Sequence, residues 1–274
     1  MIYFLFSGFF LVISGVFLFR RKKKQDKVER MLSAKNISIT SVVNAFNSTS
    51  SGIPEAFKKG IEIEGAVLAD NVLKAPFSGQ KSVYFMLRLE QKYQMEEAFT
   101  NQSGERSKKW VNKSDLIYEK EKYVPFQLKD ENNFIDVALE GSEITPEVSY
   151  TSYEKNTIYT IPERIKESDV VYKDLTELQQ QLADKNKDKT ILGYKLTEYT
   201  LPVDQKLYAL GAVYKNNGKL FIGRGEKHPF VVSINSSEKI YNRLEQRILQ
   251  FFIAAILCFL TSLVLFFYGM SEVM

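Results

Sequence analysis

Two long stretches without a charged side chain, one near each end of the chain, constrain the fold more than any other feature. The first runs from Ile2 to Phe19 and the second from about Ile248 to Tyr268. At a helical rise of about 1.5 Å per residue, each is close to the length that crosses a hydrocarbon core of about 30 Å. The second stretch is apolar on all its faces, unlike a core helix with one apolar stripe. Two transmembrane helices are therefore predicted.

The charges that flank these stretches predict their orientation. The basic run Arg20–Lys24 follows the first stretch, and the tail Ser271–Met274 contains no basic residue. Three basic residues precede the second stretch, namely Lys239, Arg243 and Arg247. Since cytoplasmic flanks carry the excess of Lys and Arg, both termini are predicted outside and residues 20–247 inside. The basic run can in addition attract anionic lipid.

The order of charges also distinguishes an anchor from a cleaved leader. A signal peptide carries its positive charges before the apolar region, whereas here they follow it. An uncleaved anchor is predicted, and the protein is expected to be integral to a membrane. Abundant Lys, Asn and Ile suggest an AT-rich genome, so that a bacterial cell membrane is the expected location.

The central part reads as an ordinary folded domain, although its charges are averaged with two apolar ends. The mean hydropathy is −0.21 and 26% of the residues are charged. A length of 274 residues leaves room for about one domain between two spans. The predicted fold class is a membrane protein with two transmembrane helices flanking one β-rich α+β domain. The predicted segments are transmembrane helix 1–19, basic juxtamembrane segment and linker 20–60, β-rich domain 61–235, juxtamembrane helix 236–247, transmembrane helix 248–268 and tail 269–274.

Period-two alternation places strands in the central part. It occurs from Ile61 to Val67 and again over Val83–Glu90, with turn residues at 75–80 between them. Two hairpins are predicted, one joining 124–128 to 135–139 and one joining 207–214 to 220–222. The second contains Asn217-Gly218, a pair that tolerates positive φ. A helix is predicted over Asp174–Ala183, and another that starts near 235–238 and continues into the second span.

No set of reactive side chains converges in the sequence. One histidine and one cysteine cannot build a zinc finger, ribbon or RING, and Cys258 lies inside the second apolar stretch. His228 is interpreted as a loop residue, and Gly223-Arg224-Gly225 lacks the spacing of a phosphate loop. The acid pairs Glu62/Glu64 and Glu96/Glu97 are interpreted as solvated charges. The sequence therefore nominates no catalytic, cofactor-binding or metal residue, and no cofactor is expected.

Trp110 lies among Lys108, Lys109 and Lys113 and admits two interpretations. Basic and aromatic residues together occur where proteins contact nucleic acid or lipid headgroups. Tryptophan is, however, usually largely buried, so a core position is the favoured prediction. No nucleic-acid partner is expected.

Four short motifs occur in an order that resembles the GIDE family, also called the BAM or "beside a membrane" domain family. They are 75–85 (APFSGQKSVYF), 124–128 with 135–137 (VPFQL, IDV), 198–202 with 207–211 (EYTLP, LYALG), and 229–233 (PFVVS). The residues that match the motifs are Pro76, Gly79, Tyr84, Pro125, Phe126, Glu198, Gly211 and Phe230. For these residues turns and core packing are expected, not binding roles.

The resemblance implies a relation to eukaryotic organelle-membrane E3 ubiquitin ligases, in which a RING follows the second span. No residue here matches a RING zinc ligand, and the sequence ends at Met274. A RING-less, prokaryotic-type member is therefore expected, and ligase activity is not transferred to it.

Three hypotheses about function follow. The first is a non-enzymatic sensing, scaffold or interaction module at the membrane, with the lipid bilayer and an unidentified protein as partners and with homo-oligomers as an open option. The second is a component of a RING-type ubiquitin transferase system in which another chain supplies zinc. The third, a channel or transporter, is the weakest, because neither span carries an ionisable residue.

Overall fold

The computed structural model describes residues 2–48, 57, 60–100, 104–155, 189–225 and 228–272. Two long apolar helices flank a β-rich centre, which confirms the predicted fold class. The elements are α1 (Ile2–Leu32), β1 (Lys35–Asn36), α2 (Ile39–Ser48), β2 (Ile61–Leu68), β3 (Leu73–Lys74), β4 (Lys81–Thr100), β5 (Arg106–Tyr123), β6 (Phe126–Lys129), β7 (Phe134–Val137), β8 (Glu143–Thr145), β9 (Glu147–Lys155), β10 (Thr190–Pro202), β11 (Lys206–Asn216), β12 (Lys219–Gly223), β13 (Val231–Ser233) and α3 (Ser237–Ser271).

The chain divides into two compact units. Unit 1 consists of Met1–Gly65, Leu128–Thr145 and Lys206–Met274, and unit 2 of Ala66–Gln127 and Pro146–Gln205. The boundaries predicted from the sequence for the spans, the linker and the β-rich domain remain predictions. The helix predicted over Asp174–Ala183 lies outside the described residues.

In unit 1, α1 and α3 pack along each other through small residues, and both are long and apolar enough to cross a membrane. The Ser14 hydroxyl donates to the Ala255 carbonyl at 2.9 Å, and the hydroxyls of Ser7 and Ser262 lie 3.1 Å apart. These contact positions recur every seven residues, the spacing that keeps one face of a helix against its partner. Small side chains at a contact allow the backbones of two helices to approach closely, as in pairs of membrane-spanning helices.

Both helices continue past their apolar stretches into the core of unit 1. The basic run is helical in α1, which ends only at Leu32, and α3 begins at Ser237, before its apolar stretch. This confirms that the second long helix starts ahead of its apolar part. The shared core joins both helices to β11 and β13 through Val28, Met31, Tyr208, Leu210, Val231 and Leu244. The helices and this sheet therefore form one packed body.

The sheet of unit 1 has eight strands in the order β1-β2-β6-β7-β12-β11-β13-β8, with β2 also paired to β11. Both predicted hairpins are confirmed, since β6 neighbours β7 and β12 pairs antiparallel with β11. Asn216 pairs with Lys219, so Asn217 and Gly218 form a two-residue turn. Both turn residues have a positive φ, as in the type I′ turn that matches the twist of the flanking strands.

The short helix α2 lies where the sequence suggested only a basic segment and linker, 20–60. Its first turn is capped twice: the Ser38 hydroxyl accepts the Ser41 N–H at 3.1 Å, and the Asp130 carboxylate accepts the Thr40 N–H at 2.6 Å. Asp130 belongs to the turn between β6 and β7. One cap is thus local, and the other comes from a residue 90 positions away.

Unit 2 is built on a five-stranded sheet in the order β3-β4-β10-β9, with β5 also paired to β4. The strand predicted over Val83–Glu90 is part of β4, which is 20 residues long. The hydrophobic core of unit 2 comprises Ala75, Phe77, Phe85, Leu87, Leu89, Tyr194 and Leu196. The prediction that Trp110 is a core residue is wrong, because it lies on β5 opposite Glu96 with 59% of its surface exposed.

Candidate functional site

A stripe of basic side chains lies along one face of α1 in unit 1. Positions 20, 23, 24, 27 and 30 are occupied by Lys or Arg. Steps of three and four residues place side chains on one face of a helix. Because α1 stays helical through the basic run, these five cations line one side of a pocket of about 750 Å³.

Two loops of the sheet close the pocket. One contains Gly141–Glu143, and the other contributes Arg224, Gly225 and residues 228–230 from between β12 and β13. The Glu143 N–H donates to the Phe230 carbonyl at 2.8 Å, which fixes one loop to the other. The side chain of Arg224 packs on the backbone of Gly141, where an added Cβ would lie 3.1 Å from its Nη1. Gly141 also has a positive φ, which favours glycine, so the pocket wall requires this residue twice over.

The charge of the pocket is strongly positive. Its lining contains Arg20, Lys23, Lys24, Lys27, Arg30 and Arg224, and Glu143 is the one carboxylate among the described lining residues. Glu143 forms an ion pair with Lys27, which leaves the other five cations without a carboxylate in the described lining. Like charges held this close raise the local potential, and an anion that entered would be attracted by several of them at once.

His228 also lines this pocket. Its Nδ1 lies 3.1 Å from the Arg30 carbonyl oxygen, so this nitrogen carries the proton and donates. The sequence interpretation of His228 as a loop residue agrees with its position between β12 and β13. No sequence pattern indicated that His228 and Arg224 lie beside the basic face of α1, because His228 is 198 positions from Arg30 in the chain.

A second cavity between the helices, of about 470 Å³, has a different character. Its lining is largely apolar and includes the acids Glu29 and Glu245 beside Arg21. The Arg21 guanidinium lies 4.3 Å from the centre of the Phe252 ring, a cation–π distance. This cavity therefore has none of the single-sign charge that distinguishes the basic pocket.

Glu62 departs from the sequence interpretation, which treated the pair with Glu64 as solvated. Glu64 is exposed, but Glu62 is only 6% exposed and its carboxylate accepts a hydrogen bond from the Tyr241 hydroxyl of α3. Burial, and then the hydrogen bond to Glu62, raise the pKa of Tyr241. Burial followed by the nearby Glu62 charge raises the pKa of Tyr208. Both phenols therefore stay protonated at neutral pH, and Tyr241 ties α3 to the sheet.

Glu198 in unit 2 is fully buried and joins two of the sequence motifs. Its carboxylate accepts the N–H groups of Phe77 at 2.8 Å and Ser78 at 3.1 Å, and the Ser149 hydroxyl at 2.7 Å. The Ser78 hydroxyl donates to it as well. Three of these four donors belong to the 75–80 turn, so the carboxylate holds this turn in place. This agrees with the role in turns and core packing that was expected for Glu198 from the sequence.

The remaining acid pair is solvated, as the sequence analysis expected. Glu96 pairs with Lys108 at 2.8 Å and Glu97 pairs with Lys113 across the β4–β5 ladder, with all four side chains partly exposed. Exposed pairs of this kind contribute little stability. Over the described parts of the chain, no group of three or more His, Cys, Asp or Glu side chains is placed to hold a metal ion.

Comparison with known proteins gives one finding. A family model described as "GIDE: E3 Ubiquitin ligase" matches residues 96–266, which is more than half of the chain. The match contains three of the four motifs of the sequence analysis and excludes the first, at 75–85. No curated protein and no solved structure matches the chain significantly.

Proposed function

The chain belongs to the GIDE family, and from that premise we propose that it is a membrane-anchored, non-enzymatic interaction module whose β-rich centre faces the cytoplasm. The observation that carries the proposal is the build of unit 1, in which two long apolar helices pair and also enter the core of the sheet. A sheet fixed to two spans this way suits a sensing or scaffold role at a bilayer.

The architecture of the helix pair supports a membrane environment. Along the apolar stretches of both helices most large side chains are exposed, while the buried residues are Ser, Ala and Gly; aromatic pairs such as Tyr3–Tyr268 and Phe17–Phe251 also join the helices. A water-soluble helix pair has the opposite arrangement, with large apolar residues inside. Exposed Phe and Leu on all outer faces are expected where lipid is the solvent.

Cysteine accessibility tests the location and orientation together. In a Cys258→Ala background, single cysteines replace the exposed residues Lys122, Lys219 and Ser271. In intact cells, an impermeant maleimide is expected to label Ser271→Cys alone, and Lys122→Cys and Lys219→Cys only after lysis. Labelling of the two central sites in intact cells would reverse the proposed topology, and release of the protein by carbonate washing would refute the membrane anchor.

A role in a ubiquitin-transferase system is the second candidate, and the description of the matching family favours it. These 274 residues contain one cysteine and one histidine, so the zinc ligands of such a system would lie outside them. Crosslinking in native membranes followed by mass spectrometry tests this candidate. Recovery of a zinc-binding partner or of a ubiquitin-conjugating enzyme would support it, and their absence from a crosslinked membrane that yields other partners would argue against it.

A further inference from the structure

We infer that the basic pocket of unit 1 binds the phosphate group of an anionic lipid headgroup. The inference rests on the proposed membrane location and adds a ligand class to it. Five cations on one face of α1, together with Arg224 from the β12–β13 loop, converge on one cavity. Arg and Lys side chains on a phosphate form charge-assisted hydrogen bonds, which are stronger than those between neutral groups.

The position of the pocket along the helices favours a lipid over a free anion. Arg20 is the first residue after the apolar stretch of α1, and Phe251 lies near the start of the apolar stretch of α3. Both residues line the pocket. The cavity therefore begins where the apolar parts of both helices end, which is the depth of lipid headgroups in a bilayer. A headgroup there can keep its acyl chains along the apolar helix surface, and basic pockets beside spans bind anionic headgroups in general.

The size and construction of the pocket also fit a headgroup. A cavity of about 750 Å³ is larger than a lone phosphate ion needs and is typical of small-molecule sites. The two wall loops are joined by the hydrogen bond from Glu143 N–H to the Phe230 carbonyl, and Arg224 is seated on Gly141. Arg224 is thus held on a formed wall that lies opposite the five basic side chains of the helix α1.

The chain offers a matched pair of double variants for the test. Arg30→Gln with Arg224→Gln removes two pocket cations, one from each wall. Lys22→Gln with Lys219→Gln removes the same charge from two exposed residues that do not line the pocket. Gly141→Ala is a third variant that crowds Arg224 without changing any charge. Each variant is prepared as the full chain in detergent. It is titrated separately with phosphatidic acid, with phosphatidylcholine of the same acyl chains, and with inorganic phosphate. Native mass spectrometry measures the bound fraction.

The wild-type chain is expected to bind phosphatidic acid at least about tenfold more tightly than phosphatidylcholine. At about 1 kcal/mol per cation near a lipid surface, the loss of two cations in the pocket double variant should weaken phosphatidic acid binding by about thirtyfold. The control double variant should stay within about twofold, and Gly141→Ala should weaken binding with the net charge unchanged. Equal losses in both double variants would show unspecific attraction and overturn the inference.

Two other outcomes are distinct. Inorganic phosphate that binds alone and displaces phosphatidic acid at equal concentration would make the ligand a free anion and overturn the lipid assignment. A chain that is released from membranes by carbonate refutes the proposed membrane anchor, whereas a membrane-anchored chain that binds both lipids equally refutes only this inference.

Discussion

Among the residues that the structure describes, each unit buries one glutamate, and the two are held in different ways. In unit 2, Glu198 accepts backbone and hydroxyl donors from the turn that carries Phe77 and Ser78, and from Ser149 on the next strand. In unit 1, Glu62 accepts the hydroxyl of Tyr241, which belongs to a long apolar helix. The first carboxylate fastens a sheet to its own turn, and the second fastens a sheet to a proposed membrane anchor. Glu198 therefore stabilises the sheet of unit 2 from within, whereas Glu62 joins the sheet of unit 1 to α3.

Removal of Glu198 is expected to cause the largest loss of stability. Glu198→Ala leaves the N–H groups of Phe77 and Ser78 buried without their acceptor, at about 3 kcal/mol or more in the free energy of unfolding. The loss should appear as a lower unfolding midpoint of the full chain in detergent. Hydrogen exchange should show the new opening in unit 2, at residues 75–80.

Glu64→Ala is the matched control, because Glu64 is an exposed glutamate on β2. It should change the free energy of unfolding by less than about 0.5 kcal/mol. If Glu198→Ala were as stable as this control, the carboxylate of Glu198 would not be what stabilises the 75–80 turn.

The tyrosines around Glu62 give a smaller effect and separate two hydroxyls. Tyr241→Phe removes the donor to a buried carboxylate and should cost about 2 kcal/mol. Tyr208→Phe should cost less than about 1 kcal/mol, because the buried Tyr208 hydroxyl makes no hydrogen bond of normal geometry with a described residue, although burial and then the nearby Glu62 and Tyr241 raise its pKa. Thermal unfolding of both variants, measured side by side in detergent, gives the difference. Equal losses would mean that both phenols serve Glu62.

The sign of the pH dependence follows from the raised pKa of Tyr241. A group whose pKa is higher in the folded protein stabilises it fully below its unfolded pKa of about 10 and loses this contribution as pH rises above it. The advantage of the wild type over Tyr241→Phe should therefore be constant from pH 6 to pH 9 and shrink in stronger alkali. A difference that grew with pH would contradict the assignment.

Sequence patterns predicted those parts of both units whose cause is local. The two apolar stretches, the alternation over Val83–Glu90 and the Asn217-Gly218 turn depend on neighbouring residues, and each occurs in the structure. The motif comparison also identified the family, and it pointed to Glu198 and the 75–85 segment, which the structure brings together. A periodic pattern carries this information because hydrophobic burial and turn geometry act over a few residues.

The misses depend on contacts between distant parts of the chain. Glu62 is buried by Tyr241, 179 residues away, and α2 is capped by Asp130, 90 residues away. The basic pocket combines α1 with two loops of a sheet assembled from three separate chain segments. The burial of Trp110 was predicted wrongly because the average burial of tryptophan says nothing about how far a strand extends. β10 pairs with β4 only as far as Gln94, whereas Trp110 lies opposite Glu96, beyond that point. No local pattern encodes such contacts.

The β11–β12 turn allows a test of the local part of unit 1. Gly218 has a positive φ, a conformation in which Gly218→Ala should destabilise the protein by about 1 kcal/mol, the cost of the left-handed region for an L-residue. No heavy atom lies within 4 Å of the added Cβ, so the effect is conformational and not steric. Chemical denaturation measures it, with exposed Lys219→Ala as the control. An unchanged midpoint would show that the turn adapts.

The smallest effect concerns the distant cap of α2 and depends on pH. Burial of Asp130 opposes ionisation, but the donors from the Thr40 backbone and side chain and from the Asn133 backbone outweigh it and lower the pKa of its carboxyl. A lowered pKa gives stability that is present above the unfolded value of about 3.9 and is lost as pH falls through the folded value. Asp130→Asn keeps an acceptor but removes the charge at the helix N-terminus, at about 0.5 kcal/mol near pH 7.

The wild type should therefore exceed Asp130→Asn in stability at pH 7, and the two should converge as the solution is acidified below pH 4. Denaturant titration of the full chain at both pH values measures this, with exposed Asp70→Asn as a control that should show no such convergence. If the difference persisted in acid, the carboxylate charge would not be what stabilises α2. The cap would then act by shape and hydrogen bonding alone, and the long-range attachment that distinguishes unit 1 would rest on Glu62 and the helix core.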